Sequence, residues 1–172
     1  MNFYFFIKQR IVKIFKVIVL LIFASIGYYS TASSEYVKIV DGDSLEIGTR
    51  RIRLLNIDTP EFKQYCFTAK GKKYNCGKKA QQFLYDMLKS GNFDVECYSK
   101  KQDQYNRDLA ECFVDGKNIG VEMLSAGWAV SYMTKSNVYL SAEREAKKQK
   151  IGIWQGKFMR PEYYRRLLRS EN

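Results

Sequence analysis

Beyond residue 35, hydrophobic and polar positions first alternate with a period of two and then change to a helical period. Tyr36 to Val40 and Ser44 to Ile47 alternate as half-buried strands do, with Asp41-Gly42-Asp43 as the bend between them. Gly48-Thr49 reads as a turn, and Arg51 to Ile57 as a third strand that Thr59-Pro60 ends, since proline cannot continue a central ladder. Lys63 to Gly77 is polar and basic and reads as a loop. From Lys78 onward Ala80, Phe83, Leu84, Met87 and Leu88 share one helical face, and Gly91 stops the helix. Phe93 to Tyr98 and Leu109 to Val114 are the next two strands, followed by an Asp115-Gly116 turn. Asn118 is placed to cap a short helix through Ser125, closed by Gly127. Tyr139 to Lys150 forms a second long helix, with Glu143 and Lys147 at i,i+4 and Gly152 ending it. Pro161 to Arg169 predicts a last, basic helix.

Short strands, one inserted helix and terminal helices predict an α+β domain with a mainly β core. The leading candidate is an OB-fold, a five-stranded barrel with three flanking helices and a short C-terminal helix. At 172 residues this is one domain, 33–172, plus an N-terminal extension, 1–32.

That extension carries four bases (Lys8, Arg10, Lys13, Lys16) and no acid, then ten uncharged, mostly apolar residues from Val17 to Ile26. Ser30-Thr31-Ala32 supplies small residues after it, so the segment reads as a signal peptide cut after Ala32, with an uncleaved membrane anchor as the alternative. Export implies a secreted or periplasmic protein, with membrane contact only through an uncleaved leader. The formal charge is +11, and the domain stays basic without its leader, which favours polyanionic partners.

Export also changes how Cys66, Cys76, Cys97 and Cys112 read. An even count in an oxidising compartment favours disulfides, Cys66–Cys76 across the lysine-rich loop and Cys97–Cys112 across a strand pair. A zinc site from all four thiolates is the alternative, although the spacings include no Cys-x-x-Cys pair.

The chain contains no histidine. Ser-His-Asp and Cys-His catalysis and His-ligated zinc are thereby excluded, and a hydrolase would need a carboxylate, lysine, tyrosine or metal-bound water as its base. Against the basic background, Val40 to Glu61 holds five carboxylates (Asp41, Asp43, Glu46, Asp58, Glu61) and three arginines (Arg50, Arg51, Arg53). Oxygen-rich clusters suit hard cations, and arginine offers a planar fork for phosphate oxygens. Singly, each piece has a plainer reading: Asp-Gly-Asp as a turn, Asp-Thr-Pro-Glu as a strand end, Arg53 as an outward strand charge. Glu46, Arg50 and Arg51 read as solvated charges. Lys70, Lys72, Lys73, Lys78 and Lys79 read as a solvated loop or a phosphate track, and Arg165, Arg166 and Arg169 as a tail able to meet membrane or DNA.

The set as a whole resembles the staphylococcal nuclease (thermonuclease) family, in its exported bacterial branch with four cysteines. Val40-Asp41-Gly42-Asp43-Ser44, Ile52-Arg53-Leu54, Ile57-Asp58-Thr59-Pro60-Glu61, Asp103-x-Tyr105-Asn106-Arg107-x-Leu109-Ala110 and Gly152-Ile153-Trp154 carry the resemblance, in order and spacing, over residues 36 to 156. It implies one Ca²⁺ ion held by the carboxylates of Asp43 and Asp58 and the carbonyl of Thr59. Glu61 would be the general base, and Arg53 and Arg107 would hold the phosphodiester and stabilise its transition state. Tyr105 would lie beside the nucleotide, and Tyr132 is the candidate for the family's nucleotide-pocket tyrosine. Two residues depart from the family pattern. Asn106 stands where a glycine is usual, and asparagine tolerates positive φ; Ser44 stands where threonine is commoner.

The function implied is an exported Ca²⁺-dependent endonuclease, acting as a monomer on DNA and RNA with low sequence specificity. The alternative is a non-catalytic OB-type nucleic-acid-binding module. A degenerate copy of that kind would have lost some of Asp43, Asp58, Glu61, Arg53 and Arg107, and all five are present.

Overall fold

The computed structural model describes residues 36–170. The leader or anchor expected over residues 1–32 lies outside them. No helix among the described residues is long and apolar enough to cross a membrane.

Three short strands open the domain as an antiparallel meander: β1 (Val37–Ile39), β2 (Ser44–Ile47) and β3 (Arg50–Leu54). The third expected strand is shorter than its sequence suggests. Asn56, at φ 68°, breaks Arg51–Ile57 into β3 and a two-residue β4 (Ile57–Asp58). The reason is burial. Leu54 and Ile57 are three apart, so one continuous strand would point them to opposite faces, yet both lie in the core. The turn resets the phase and aims Asp58 inward.

The stretch from Lys63 to Gly77 is not a plain loop. It contains a hairpin, β5 (Tyr65–Phe67) and β6 (Lys73–Asn75), and the following helix begins at Cys76 rather than Lys78. Its pattern is inverted, with Tyr65 and Phe67 exposed and Cys66 buried, which hides it from a reading that looks for apolar faces. The Cys66–Cys76 disulfide joins the hairpin to that helix, α1 (Cys76–Ser90). Asn75 caps α1 by accepting from the Lys78 amide at 2.8 Å, and Ala80, Leu84 and Leu88 form its buried face.

Strand β7 (Val95–Gln102) starts later and runs further than predicted. Asn92 and Phe93 take left-handed φ values of 53° and 57°, so the chain is still turning at Phe93. Its polar far end, Ser99 to Gln102, is kept in the ladder by β8 (Asp108–Val114), with a register shift between Ser99 and Lys101. Cys97 and Cys112 are directly opposite in this ladder and form the second disulfide, so all four cysteines are paired. Strand β8 also lies parallel to β3, pairing Arg53 with Leu109. The main sheet therefore runs β1-β2-β3-β8-β7, and β9 (Lys117–Asn118) pairs with β8.

Three more helices complete an α+β domain with a mostly sheet core. They are α2 (Ile119–Ser125), capped by Asn118 through the Val121 amide, α3 (Asn137–Gln149) and α4 (Pro161–Ser170). Helix α3 begins two residues before the predicted Tyr139 and is closed by Lys150 in the left-handed region, ahead of Gly152. Between α2 and α3, β10 (Val130–Ser131) pairs with β4 as a separate two-stranded sheet, Val130 opposite Asp58. The core gathers Leu45, Ile52, Leu54 and Ile57 from the strands with Leu84, Leu88, Met123 and Leu124 from the helices. Burial of such side chains, at about 25 cal/mol per Å² of apolar surface, is what holds these short strands together.

Candidate active site

The β1–β2 bend and the β4 end converge because β2 and β3 pair with Ser44 opposite Arg53. That register sets Arg53 between two buried acids. Its Nη1 donates to Asp43 Oδ1 at 2.5 Å and its Nη2 to Asp58 Oδ1 at 2.9 Å. The remaining bonds to Asp43 come from the Thr59 amide, at 2.9 Å to Oδ2, and the Ser44 hydroxyl, at 3.1 Å to Oδ1. Asp41 accepts from the Asp43 amide at 3.0 Å and so shapes the bend. Gly42 is required there, since a Cβ would stand 2.7 Å from the Thr59 hydroxyl.

Burial pushes the Asp43 carboxyl up to about 7; Arg53 opposes this, and the neighbouring charges of Asp41 and Asp58 add to the rise. For Arg53 burial works against its charge, but Asp43 and Asp58 outweigh it and raise its pKa.

Glu61 follows in the loop after β4, and Gln64 fixes that loop. The Gln64 side-chain carbonyl accepts from the Glu61 amide at 3.2 Å, and the Gln64 amide donates to the Glu61 carbonyl at 2.7 Å. Its Nε2 donates to the Met159 carbonyl at 2.7 Å, tying the loop to the segment before α4. Gly77 lets α1 pass beneath, since a Cβ would lie 1.8 Å from the Glu61 carbonyl oxygen.

Arg107 enters from the β7–β8 loop. Asn106 there takes φ 58°, so the non-glycine residue adopts the turn. Arg107 does not bond the three acids; it pairs with Asp103 of its own loop, at 2.7 Å. Burial would raise the Asp103 pKa, but hydrogen bonds from the Arg107 amide and side chain and from the Tyr105 amide lower it. Arg107 lies 5.5 Å from the centre of the exposed Tyr105 ring. Even so, Arg53, Glu61, Tyr105, Arg107 and Tyr132 all line one cleft of about 500 Å³. The Tyr132 amide is anchored on the Asn56 carbonyl at 2.9 Å.

Two participants were not legible. Gln64 read as part of a polar loop, yet it is fully buried. Arg165, on α4, read as a tail charge, yet it makes three bonds in the cleft: Nη1 to Asp58 Oδ1 at 2.8 Å, Nη2 to Asp58 Oδ2 at 3.0 Å, and Nη1 to Glu61 Oε1 at 2.7 Å. Burial lowers its pKa, but these bonds outweigh it and raise the group further. No local spacing could have shown this, because its partners lie 107 and 104 residues away.

Among the described residues no three acids are gathered as a ready-made metal group. The donor chemistry nonetheless suits a hard divalent cation. Two buried carboxylates, Asp43 and Asp58, share Arg53, and with Glu61 three acids are in contact with two guanidiniums, Arg53 and Arg165. The charge is nominally unbalanced on the acidic side.

Comparison with known proteins agrees with this architecture. The sequence model of the Staphylococcal nuclease homologue family matches residues 51–156, more than half of the chain, and the chain belongs to that family. The match includes Arg53, Asp58, Glu61 and Arg107 and begins after Asp43. The chain is 35% identical to the succinoglycan biosynthesis protein ExoI of Rhizobium meliloti over 118 residues, 67% of this chain and 61% of that protein. It is 32% identical over 151 residues to an uncharacterized endonuclease of Haemophilus influenzae, covering 83% of this chain and 78% of the relative. Endonuclease YhcR of Bacillus subtilis is 30% identical over 132 residues, 68% of this chain but 11% of its own length. The chain thus spans under two thirds of the ExoI protein and a small part of YhcR.

Proposed function

We propose that the chain is an exported, Ca²⁺-dependent nuclease that hydrolyses phosphodiester bonds of DNA and RNA with little sequence preference, acting as a monomer. The observation that carries this reading is that Arg53, Glu61 and Arg107 line one cleft, with Asp43 and Asp58 bonded to Arg53. Export is supported by the leader-like residues 1–32 and by the two disulfides.

Each residue has a role that its surroundings permit. Asp43 and Asp58, with the Thr59 carbonyl, would hold the cation, which when bound supplies positive charge against the phosphate oxygens. Arg53 and Arg107, which line the same cleft, offer guanidinium donors to the non-bridging oxygens, where charge develops in the transition state. Glu61, with its backbone fixed by Gln64, holds and takes the proton of the attacking water, the role left to a carboxylate in a chain without histidine. Tyr105 and Tyr132 offer ring faces and hydroxyls beside the nucleotide.

The purified chain should degrade single-stranded DNA when Ca²⁺ is present and stop on addition of EDTA. Glu61→Gln should slow cleavage by roughly two to four orders of magnitude, the usual contribution of a positioned base. Undiminished cleavage by Glu61→Gln sinks this assignment of the base. Absence of cleavage by the parent with any divalent ion would instead favour a nucleic-acid-binding module.

A further inference from the structure

Arg165 stands in the cleft as a cation stands. Of the three bonds received by the fully buried Asp58 carboxylate from arginine side chains, two come from Arg165 and one from Arg53. The same Nη1 of Arg165 bridges to Glu61. We propose that Arg165 is a positioning residue of the metal site: its guanidinium holds Asp58 and Glu61 together as an internal counter-ion, and a divalent cation loads by displacing it. This rests on the Ca²⁺ reading above.

Three observations single out Arg165 rather than Arg53 as the group that leaves. Arg53 is wedged between two buried acids with its side chain 15% exposed, whereas that of Arg165 is 29% exposed and faces one buried and one half-buried acid. The support of Arg165 is also the looser one. Pro161 is the buried residue of α4, while Leu167 beyond Arg165 is exposed. The third observation is charge. With Arg165 withdrawn, Asp43, Asp58 and Glu61 face Arg53 alone, a nominal surplus of two negative charges, which one divalent ion neutralises. Arg165 and the ion thus compete for the same oxygens of Asp58, and by linkage each weakens the other's hold.

Calcium titration of the whole chain by calorimetry, after the metal is stripped with EDTA, separates the possibilities without any cleavage assay. Arg165→Ala should bind Ca²⁺ more tightly than the parent, by about tenfold on the scale of such couplings. Arg169→Ala is the control for long-range charge, since Arg169 lines the same cleft and makes none of the three bonds above; its gain should stay under about threefold. Thermal melting gives a second readout, in which Ca²⁺ should raise the Tm of Arg165→Ala more than that of the parent.

Unchanged or weaker Ca²⁺ binding by Arg165→Ala overturns the proposal, and so does an equal gain in Arg169→Ala. Should the alanine variant fail to fold without Ca²⁺, Arg165→Lys keeps the charge but loses the two-pronged fork and should show a smaller tightening; none at all would overturn the proposal. Absence of Ca²⁺ binding in parent and variants alike would overturn the Ca²⁺ reading itself. Binding by the parent with no gain in the variants removes the counter-ion role alone.

Discussion

The two walls of the cleft carry the same side chain in opposite settings. Arg53, on β3, is buried between Asp43 and Asp58, and strand register across β2, β3 and β4 decides where its donors point. Arg107 sits on a surface loop and takes its orientation from Asp103, four residues earlier, through bonds from both its amide and its guanidinium. The first wall is thus positioned by the fold, the second by a self-contained turn. A chain that must grip a flexible polyanion gains a fixed reference on one side and an adaptable clamp on the other. Changes at Arg53 should therefore damage both stability and chemistry, and changes at Arg107 chiefly the chemistry.

The sharpest test sets Arg53→Ala beside Arg107→Ala. Removing Arg53 leaves two buried carboxylates without their shared partner, which should cost about 3 kcal/mol of stability in urea unfolding. Removing Arg107 releases one part-buried pair confined to its own loop, and should cost less, about 1 kcal/mol. Both should lower cleavage of single-stranded DNA by roughly 10²- to 10³-fold, the range for loss of one transition-state donor. Equal losses of stability in the two variants would erase the distinction between the walls.

A smaller effect is expected at Asp103. Its pKa is lowered in the folded protein, so it contributes stability that is present above its ordinary value of 3.8 and is lost as pH falls through the lowered folded value. Asp103→Asn should therefore lose about 1 kcal/mol at neutral pH and flatten the decline in stability below pH 3.8. Activity should fall through a lowered kcat/KM, as Arg107 loses its orienting partner while the Arg53 wall stays intact. A variant with unchanged kcat/KM would show that Arg107 needs no local hold.

The same contrast explains what could be read from the chain. Period, capping residues and breakers located the four α-helices of the described residues and most of the main sheet, because in those segments burial follows period. They failed at the β5–β6 hairpin, whose buried member is Cys66 between exposed aromatics, and at Asn56, where the chain turns to keep both Leu54 and Ile57 inside. In the site, Asp43, Arg53, Asp58, Glu61 and Arg107 were legible as candidates through the family resemblance, since each alone has a plainer reading as a turn, a strand end or a solvated charge. Gln64 and Arg165 were not, since the one looks like any loop glutamine and the other like any tail arginine until α4 is folded against the cleft. Local pattern carries local structure, and a contact more than a hundred residues away leaves no trace in it.

The least disruptive change falls at Asn106, and it tests how self-contained the Arg107 wall is. At φ 58° an asparagine pays a modest conformational cost that glycine does not, but glycine also gives the unfolded chain more freedom to lose. The two effects oppose, so Asn106→Gly should change stability by less than about 0.5 kcal/mol and leave KM and kcat near parental values. A β-branched residue meets the same φ with real strain, so Asn106→Val should move Arg107 and lower kcat/KM while melting close to the parent. If Asn106→Val instead unfolds the domain as readily as Arg53→Ala, the loop is no independent module, and the turn is as much part of the core as the buried acids around Arg53.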